Sequence, residues 1–468
     1  MAPRWSLVTP LSPALPSCAA MTRADEAHAL EVQEPRALSF TVPDVARRIL
    51  AAAALTGLVV TSLIIAAGAA AQPSSLVPAS QGGFPGWLSG PLHGLGSPLS
   101  ANEFGVLVLT MCACYVLALL CWEAIDLRLA LAAIVVLHAI FLVAPPLFSS
   151  DVIGYISYAR LGAVHGLDPY THVPLDAPGD PTYRYFPWHD LTSPYGPLFT
   201  IASYALAPLG VAGALWALKI AFALASLGAV ALVVACAARI QRPPTQAAIY
   251  VGLNPLLLAY GVGGGHNDLL VMLVVIAAVY LALSERQAWA AGGAVGAAAL
   301  KASAAIVLPF MLIGARRRWP ALRAAAAAGG IVGALAIAAF GSGAVGFLTV
   351  VGTQQELVAL HSVPNYLGRL LGLGGLTSGL RAAAIVVLTG ALGVLLARTW
   401  RGRDWVSGAG WATFTLLVTS AWLLPWYVIW LLPLAALGDS ARLRLATLGL
   451  AAFIVALRVP FIEHALTP

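Results

Sequence analysis

Apolar runs of about 18 residues or more recur along this chain, and no other feature narrows its possible folds so far. A run of that length crosses the hydrocarbon of a bilayer as one α-helix. Candidate spans cover 49–71, 104–122, 127–147, 211–238, 244–262, 267–284, 320–341, 378–398, 408–437 and 443–460. A soluble domain carries about 25% charged residues. Here charged residues make up only 9% of 468, and hydrophobic residues 60%. The chain reads as an all-α polytopic membrane protein. Its net charge of +6 comes from arginines in short loops, where orientation signals belong, so no nucleic-acid partner is expected.

Two features set the ends of the scaffold. Residues 1–48 hold prolines and mixed charge without an apolar span, and read as a mostly disordered cytoplasmic tail before a membrane domain over 49–468. "WSLVTPLSPALPSCAA" is broken by three prolines, unlike a signal peptide, and Met21 is an alternative start. The five cysteines (Cys18, Cys112, Cys114, Cys121, Cys236) form no CxxC or zinc pattern and read as small apolar residues.

Arginine placement orients the spans. Arg47 and Arg48, Arg239 and Arg242, Arg316 to Arg318, Arg401 and Arg403, and Arg442 and Arg444 are assigned to the cytoplasm. Loops 72–103, 148–196, 262–266 and 342–377 then face outward. Parity requires 288–315 to cross twice, as a hairpin turning near Lys301. It also requires 408–437 to split at "LLPWY", where Pro425 removes a helical hydrogen bond. Stretch 197–210 suits a partial or interfacial helix.

So oriented, the polar residues gather on one face. Loop 148–196 holds Asp151, Asp168, Asp176, Asp180 and Asp190, with His165, His172 and His189. "GGGHND" adds His266, Asn267 and Asp268; the loop after 342 adds Gln354, Gln355, Glu356, His361, Asn365 and Arg369; and the split adds Trp426 and Tyr427. The chain's two lysines, Lys219 and Lys301, lie inside apolar segments, where a charge costs about 2.5–3.5 kcal/mol on insertion scales. Lys219 is a functional candidate or a snorkelling residue; Lys301, at the turn, reads first as solvated on the cytoplasmic side.

Asp151 stands at the water boundary directly after the third span, where partial desolvation would raise its pKa and suit it to general-base work. Tyr155, Tyr158 and Tyr195 belong to a Tyr- and Trp-rich loop whose rings can stack on sugars or sit at headgroup level. "DPY" and "SPYGP" read first as turns. In "GGGHND" glycines end one helix while Asn267 and Asp268 cap the next. There is no GxSxG, P-loop, HExxH or Rossmann fingerprint.

Together "DVIGYISYARLGAVHGLDPY", "SPYGPL", "GGGHNDLL" and "LLPWYVIWLLPL" resemble the GT-C class of integral-membrane glycosyltransferases, nearest to polyprenyl-phosphate-mannose-dependent α-1,6-mannosyltransferases of lipomannan and lipoglycan assembly. The spans and their parity give roughly 11–13 transmembrane helices, and the resemblance implies that they form a GT-C-like bundle with a large first extracytoplasmic catalytic loop, 148–196, containing short juxtamembrane helices. It implies inverting transfer, at the outer face of the plasma membrane, from a polyprenyl-phosphate-linked sugar donor to a glycolipid or glycan acceptor. Asp151 matches the base. Arg160, Lys219 and Arg369 are expected at the donor phosphate; Tyr155, Tyr158, Tyr195, His266, Asn267, Asp268, Trp426 and Tyr427 are expected around the substrates. Membrane lipids are the other partners. Asp151 has no acidic neighbour in sequence, so no cofactor is called for, although a divalent metal stays open. Two alternatives remain: a GT-C enzyme using arabinose, glucose or galactose, and a transporter or flippase of polyprenyl-linked sugars.

Overall fold

The apolar runs become helices whose ends are set by capping side chains. A computed structural model describes residues 43–71, 73–346, 352 and 356–466. The expected tail lies outside the described residues as far as residue 42, and from Asp44 the chain is already helical. Gln354 and Gln355 also lie outside the described residues.

The first part comprises α1 (Asp44–Ala70), the single turn α2 (Gly86–Ser89), α3 (Ala101–Leu120), α4 (Leu127–Val143) and α5 (Asp151–Ala163). Next come α6 (Pro197–Ser203), α7 (Gly210–Arg239), α8 (Pro244–Gly252) and α9 (Asp268–Leu283). Then follow α10 (Gln287–Leu300), α11 (Val307–Gly314), α12 (Arg318–Phe340), α13 (Val363–Leu370) and α14 (Ser378–Trp400). The last are α15 (Trp405–Thr419), α16 (Leu432–Leu437), α17 (Ala441–Ala456) and α18 (Pro460–Leu466). No strand occurs among the described residues.

Each expected span carries helix. Ser100 and Glu103 form a capping box at α3, Asp126 caps α4, and Asp404 accepts from the amides of Val406 and Ser407 at α15. Asp44–Ala70, Ala101–Leu120, Pro197–Arg239, Arg318–Val345 and Ser378–Trp400 are long and apolar enough to cross a membrane, and shorter apolar helices lie between them. α7 packs on α9, α10 on α9 and α12, and α14 on α15. Ile385, Val386 and Val387 of α14 are 55–69% exposed, an apolar face suited to lipid.

Three local breaks carry the polar groups. After Asn254 and Pro255 the chain winds as a π-helix, Leu256–Val262, with Asn254 Oδ1 accepting from the Leu256 amide. That wide turn feeds Gly263 to Gly265, where Gly265 takes φ +70°, a left-handed conformation that favours glycine. Segment 288–315 divides at Lys301, which is extended (φ −155°, ψ 125°), and 408–437 divides between α15 and a 3₁₀ turn over Pro425–Trp430. The Lys301 break is on the same side as loop 148–196, because the Gly196 amide donates to Leu300 O at 3.0 Å. Gly196 is needed for this approach: a Cβ there would lie 2.1 Å from Ala299 O. Lys301 therefore shares a side with loop 148–196, and only 16% of its side chain is exposed.

Lys219 neither snorkels nor faces open water. It is fully buried, and its ammonium donates to Phe141 O at 3.1 Å, Ala144 O at 2.6 Å and Gly263 O at 2.9 Å. Two of these are carbonyls at the end of α4, groups that a helix leaves unpaired; the third belongs to the glycine turn. This corrects the expectation that Lys219 binds donor phosphate. Lys219→Met leaves the carbonyls of Phe141 and Ala144 without this donor, each costing about 1–3 kcal/mol, while Gly263 O keeps the Leu147 amide. A thermal-unfolding measurement in detergent is expected to show a lower melting temperature, while the folded fraction keeps its donor KM.

Candidate active site

Asp151 opens α5, and its amide donates to Ser149 Oγ at 3.0 Å. Its side chain is 28% exposed and faces a cavity of about 1130 Å³. Around that cavity stand Tyr158, Trp188 and Tyr195 from the 148–196 loop, Lys301 from the α10–α11 break, and Trp426 and Tyr427 from the 3₁₀ turn. Arg381 of α14 also reaches it, as do Ile385, Leu388 and Leu392 of α14 and Leu416 and Leu417 of α15. The lining thus combines a polar and aromatic set with an aliphatic stripe along α14 and α15.

Behind the wall lies a buried polar layer. His266, Asn267 and Asp268 are all 0% exposed and do not line the cavity. This corrects the expectation that they touch substrate. His266 Nδ1 is 3.3 Å from Asp151 Oδ2, and its ring stacks on Trp426 with centroids 3.7 Å apart. Asn267 sits at the N-cap position of α9 without capping by its side chain; its Oδ1 accepts from Tyr155 Oη at 3.3 Å, and its amide donates to the same hydroxyl at 3.1 Å. Tyr155 is itself buried, packed edge-on against Tyr195 and Phe199, so it braces α5 against α9 from behind the cavity.

Asp268 Oδ1 accepts from Lys301 Nζ at 2.7 Å and from Trp430 Nε1 at 2.6 Å. The same ammonium lies 5.0 Å from the Tyr427 ring centroid and 5.2 Å from that of Trp430. Cation–π attraction at such distances adds to the ion pair. Lys301 keeps 16% of its side chain exposed, toward the cavity. A hidden carboxylate thus holds a lysine whose charge faces the site.

Burial pushes the Asp151 carboxyl upward, but the adjoining His266, the Lys301 charge and the Ser149 hydroxyl outweigh it and leave the pKa below its usual 3.8. Asp151 therefore stays ionised through the neutral range. This corrects the expected upward shift and leaves a carboxylate that is charged but less basic.

The expected phosphate cations fall elsewhere. Arg160 Nε donates to Asp180 at 2.9 Å; Asp180 also contacts His165 Nε2 at 2.8 Å and accepts from the Thr182 amide and hydroxyl. Burial raises the Asp180 pKa, but these partners hold it lower overall. The cluster clasps the loop. Arg369 ends α13 and does not line the cavity. Arg381 and Trp430 also line the cavity and were not singled out in the sequence, while Trp188 belongs to its aromatic loop and Lys301 was read first as solvated on the cytoplasmic side. For Lys301 a signal existed, since the parity that demands a hairpin also turns it outward.

An all-helical membrane scaffold with a carboxylate, a lysine and stacked aromatic rings around one cavity has the make-up of an integral-membrane glycosyltransferase. Residues 53–317 match the family described as alpha-(1->6)-mannopyranosyltransferase, N-terminal domain, and residues 358–466 match the MptB C-terminal domain. The chain belongs to this family of mannosyltransferases. It is 28% identical over 370 residues to alpha-(1->6)-mannopyranosyltransferase A of Mycobacterium tuberculosis, covering 72% of this chain and 70% of that one. It is 26% identical over 350 residues to alpha-(1->6)-mannopyranosyltransferase B of Corynebacterium glutamicum, covering 65% and 58%. A probable alpha-(1->6)-mannopyranosyltransferase of Mycolicibacterium smegmatis is 29% identical over 371 residues, covering 66% and 65%. No solved structure matches the chain.

Removing one partner of a buried ion pair strands the other and costs about 3–5 kcal/mol. Lys301→Met is accordingly expected to lower stability more than Asp268→Leu does, because it strands a fully buried carboxylate, whereas the lysine left by Asp268→Leu is 16% exposed to the cavity. The double variant should recover part of the loss. Denaturant or thermal unfolding of the three proteins measures this coupling.

Proposed function

We propose that this protein transfers mannose from a polyprenyl-phosphate donor to a glycolipid or glycan acceptor on the extracytoplasmic side of the cell membrane, with inversion at the anomeric carbon. The observation that carries the proposal is the shared cavity: an ionised, partly exposed Asp151 and a counter-ion-held Lys301 line it together, and an aliphatic stripe along α14 and α15 lines it too. The relatives' names support mannosyl transfer.

In this reading Asp151 accepts the proton of the acceptor hydroxyl. The freed oxygen forms a bond to the anomeric carbon as the bond from that carbon to the phosphate oxygen breaks. Both electrons of the broken bond leave with the polyprenyl phosphate. Charge grows on that phosphate in the transition state, and a fixed cation aimed there lowers the barrier. Lys301 has the required placement, with Arg381 one turn before the stripe on α14. Tyr158, Tyr195 and Trp188 offer ring faces for the sugars, and the α14–α15 stripe suits the isoprenoid chain. Lys219, sealed on three carbonyls, offers no polar route deeper into the helices, which favours transfer over transport.

Membranes holding the full chain are to be supplied with labelled polyprenyl-phosphate-mannose and a short mannoside. Asp151→Asn is expected to abolish transfer while the protein inserts and folds; normal turnover by that variant would remove Asp151 as the base. Reporters fused at residues 180 and 317 are expected on opposite sides of the membrane, and a same-side result would overturn the orientation.

A further inference from the structure

His266 has no contact with the cavity, yet it is placed as though Asp151 were its purpose. The residue is 0% exposed. Neither ring nitrogen makes a well-aligned hydrogen bond among the described residues, and a buried polar ring left so calls for an explanation. Its nearest charged group is Asp151, with Nδ1 at 3.3 Å from Oδ2. Three features keep the ring there. Trp426 stacks on one face at 3.7 Å with an interplanar angle of 17°. Gly265, at φ +70°, turns the chain sharply just before it. Gly264 lies at the ring edge, where a Cβ would sit 2.7 Å from Nε2 and 2.3 Å from Tyr260 O.

We propose that His266 is the positioning residue of the base: its Nδ1–H holds one oxygen of Asp151 and leaves the other to the acceptor hydroxyl. The inference rests on the function proposed above. An ionised carboxylate only accepts, so Nδ1 must be the donating nitrogen in this pair. The 3.3 Å separation is loose for a hydrogen bond and closes when the acceptor docks, as catalytic contacts commonly tighten in the substrate complex. Trp426 forms both the back support of His266 and part of the cavity wall, so a sugar pressing on Trp426 loads the ring that orients Asp151.

The pH behaviour follows from the groups facing Asp151. From its own helix and the preceding turn these are Ser149, Tyr155 and Tyr158; from the loop, Tyr195; from the 3₁₀ turn, Tyr427; from the glycine turn before α9, His266; and from the α10–α11 break, Lys301, while Asp268 at the start of α9 acts on the same Tyr155 and Tyr427. Among the groups that hold the Asp151 pKa down, His266 ranks first. A group with a depressed pKa works above that value and fails as pH falls through it. Loss of the His266 donor therefore moves the acid limb of the rate profile to higher pH.

The test uses the full chain in membranes, with labelled polyprenyl-phosphate-mannose and a short mannoside, and compares His266→Asn, His266→Gln, His266→Phe and Asp151→Asn by kcat, KM and pH profile. Asparagine can place an amide donor where Nδ1 was, glutamine reaches only toward the Nε2 position, and phenylalanine keeps the stack without a donor. His266→Phe is expected to lose about 10–100-fold in kcat, the scale of a misoriented group, with KM values within about two-fold and the acid limb raised. His266→Asn should recover most of the rate and the original limb, and His266→Gln should not. Wild-type kcat and acid limb in His266→Phe would overturn the proposal, as would equal rates for Asn and Gln, because stacking alone would then account for the residue. Should His266→Phe fail to fold, the Asn-against-Gln comparison decides. Activity in Asp151→Asn would instead strike the function proposed above, whatever the His266 variants do.

Discussion

The ammonium of Lys219 holds together the parts on which the site depends. By donating to Phe141 O, Ala144 O and Gly263 O, it joins the end of α4 to the glycine turn from the middle of α7. Asp151 follows the first attachment by a short turn, and His266 follows the second. Asp151 and the ring beside it belong to segments distant in sequence, and one buried ammonium ties the two segments together where both begin. Backbone amides reinforce the joint: Leu147 donates to Gly263 O at 3.1 Å, so that carbonyl serves both the ammonium and the chain leading to Asp151.

A second buried charge organises the opposite wall. Asp268 lies at the N-terminus of α9, where the helix dipole favours a carboxylate, and it gives one oxygen to both Lys301 and Trp430. The other oxygen is buried without a partner among the described residues. An uncompensated carboxylate would be costly there, so Lys301 is drawn from the α10–α11 break toward the cavity rather than into bulk water. The chain's two lysines thus have opposite uses: one is sealed to build the scaffold, and the other is tethered so that its charge meets the cavity.

Much of the scaffold was legible. Hydrophobic run length marked the helices, and counting arginine-bearing loops forced breaks at Lys301 and at Pro425, where the helices do divide. "SPYGP" and "GGGHND" stood out as turns, and Gly196 and Gly265 show the cause in a backbone contact and a positive φ. The roles of individual charges were less legible, because burial and partner choice depend on approach in space. Arg160 was expected at phosphate, yet a carboxylate 20 residues on, Asp180, satisfies it within the same loop. Lys219 looked like a phosphate cation because nothing in sequence reveals carbonyls at the end of another helix. His266, Asn267 and Asp268 were expected around the substrates, but their depth behind the wall was not visible.

That depth alters what the polar motif does. A residue that contacts sugar must be exposed, so its identity can vary with the substrate. His266, Asn267 and Asp268 instead each serve one named neighbour: Asp151, Tyr155 and Lys301 respectively. Three consecutive side chains at one helix start therefore set the carboxylate, the first turns of α5 and the cation at once. Moving this helix start would displace all three together, which couples the placement of the Asp151 carboxylate to that of the Lys301 charge. In the transfer proposed above, where a proton leaves the acceptor as negative charge arrives on phosphate, that coupling would keep both ends of the reaction in register.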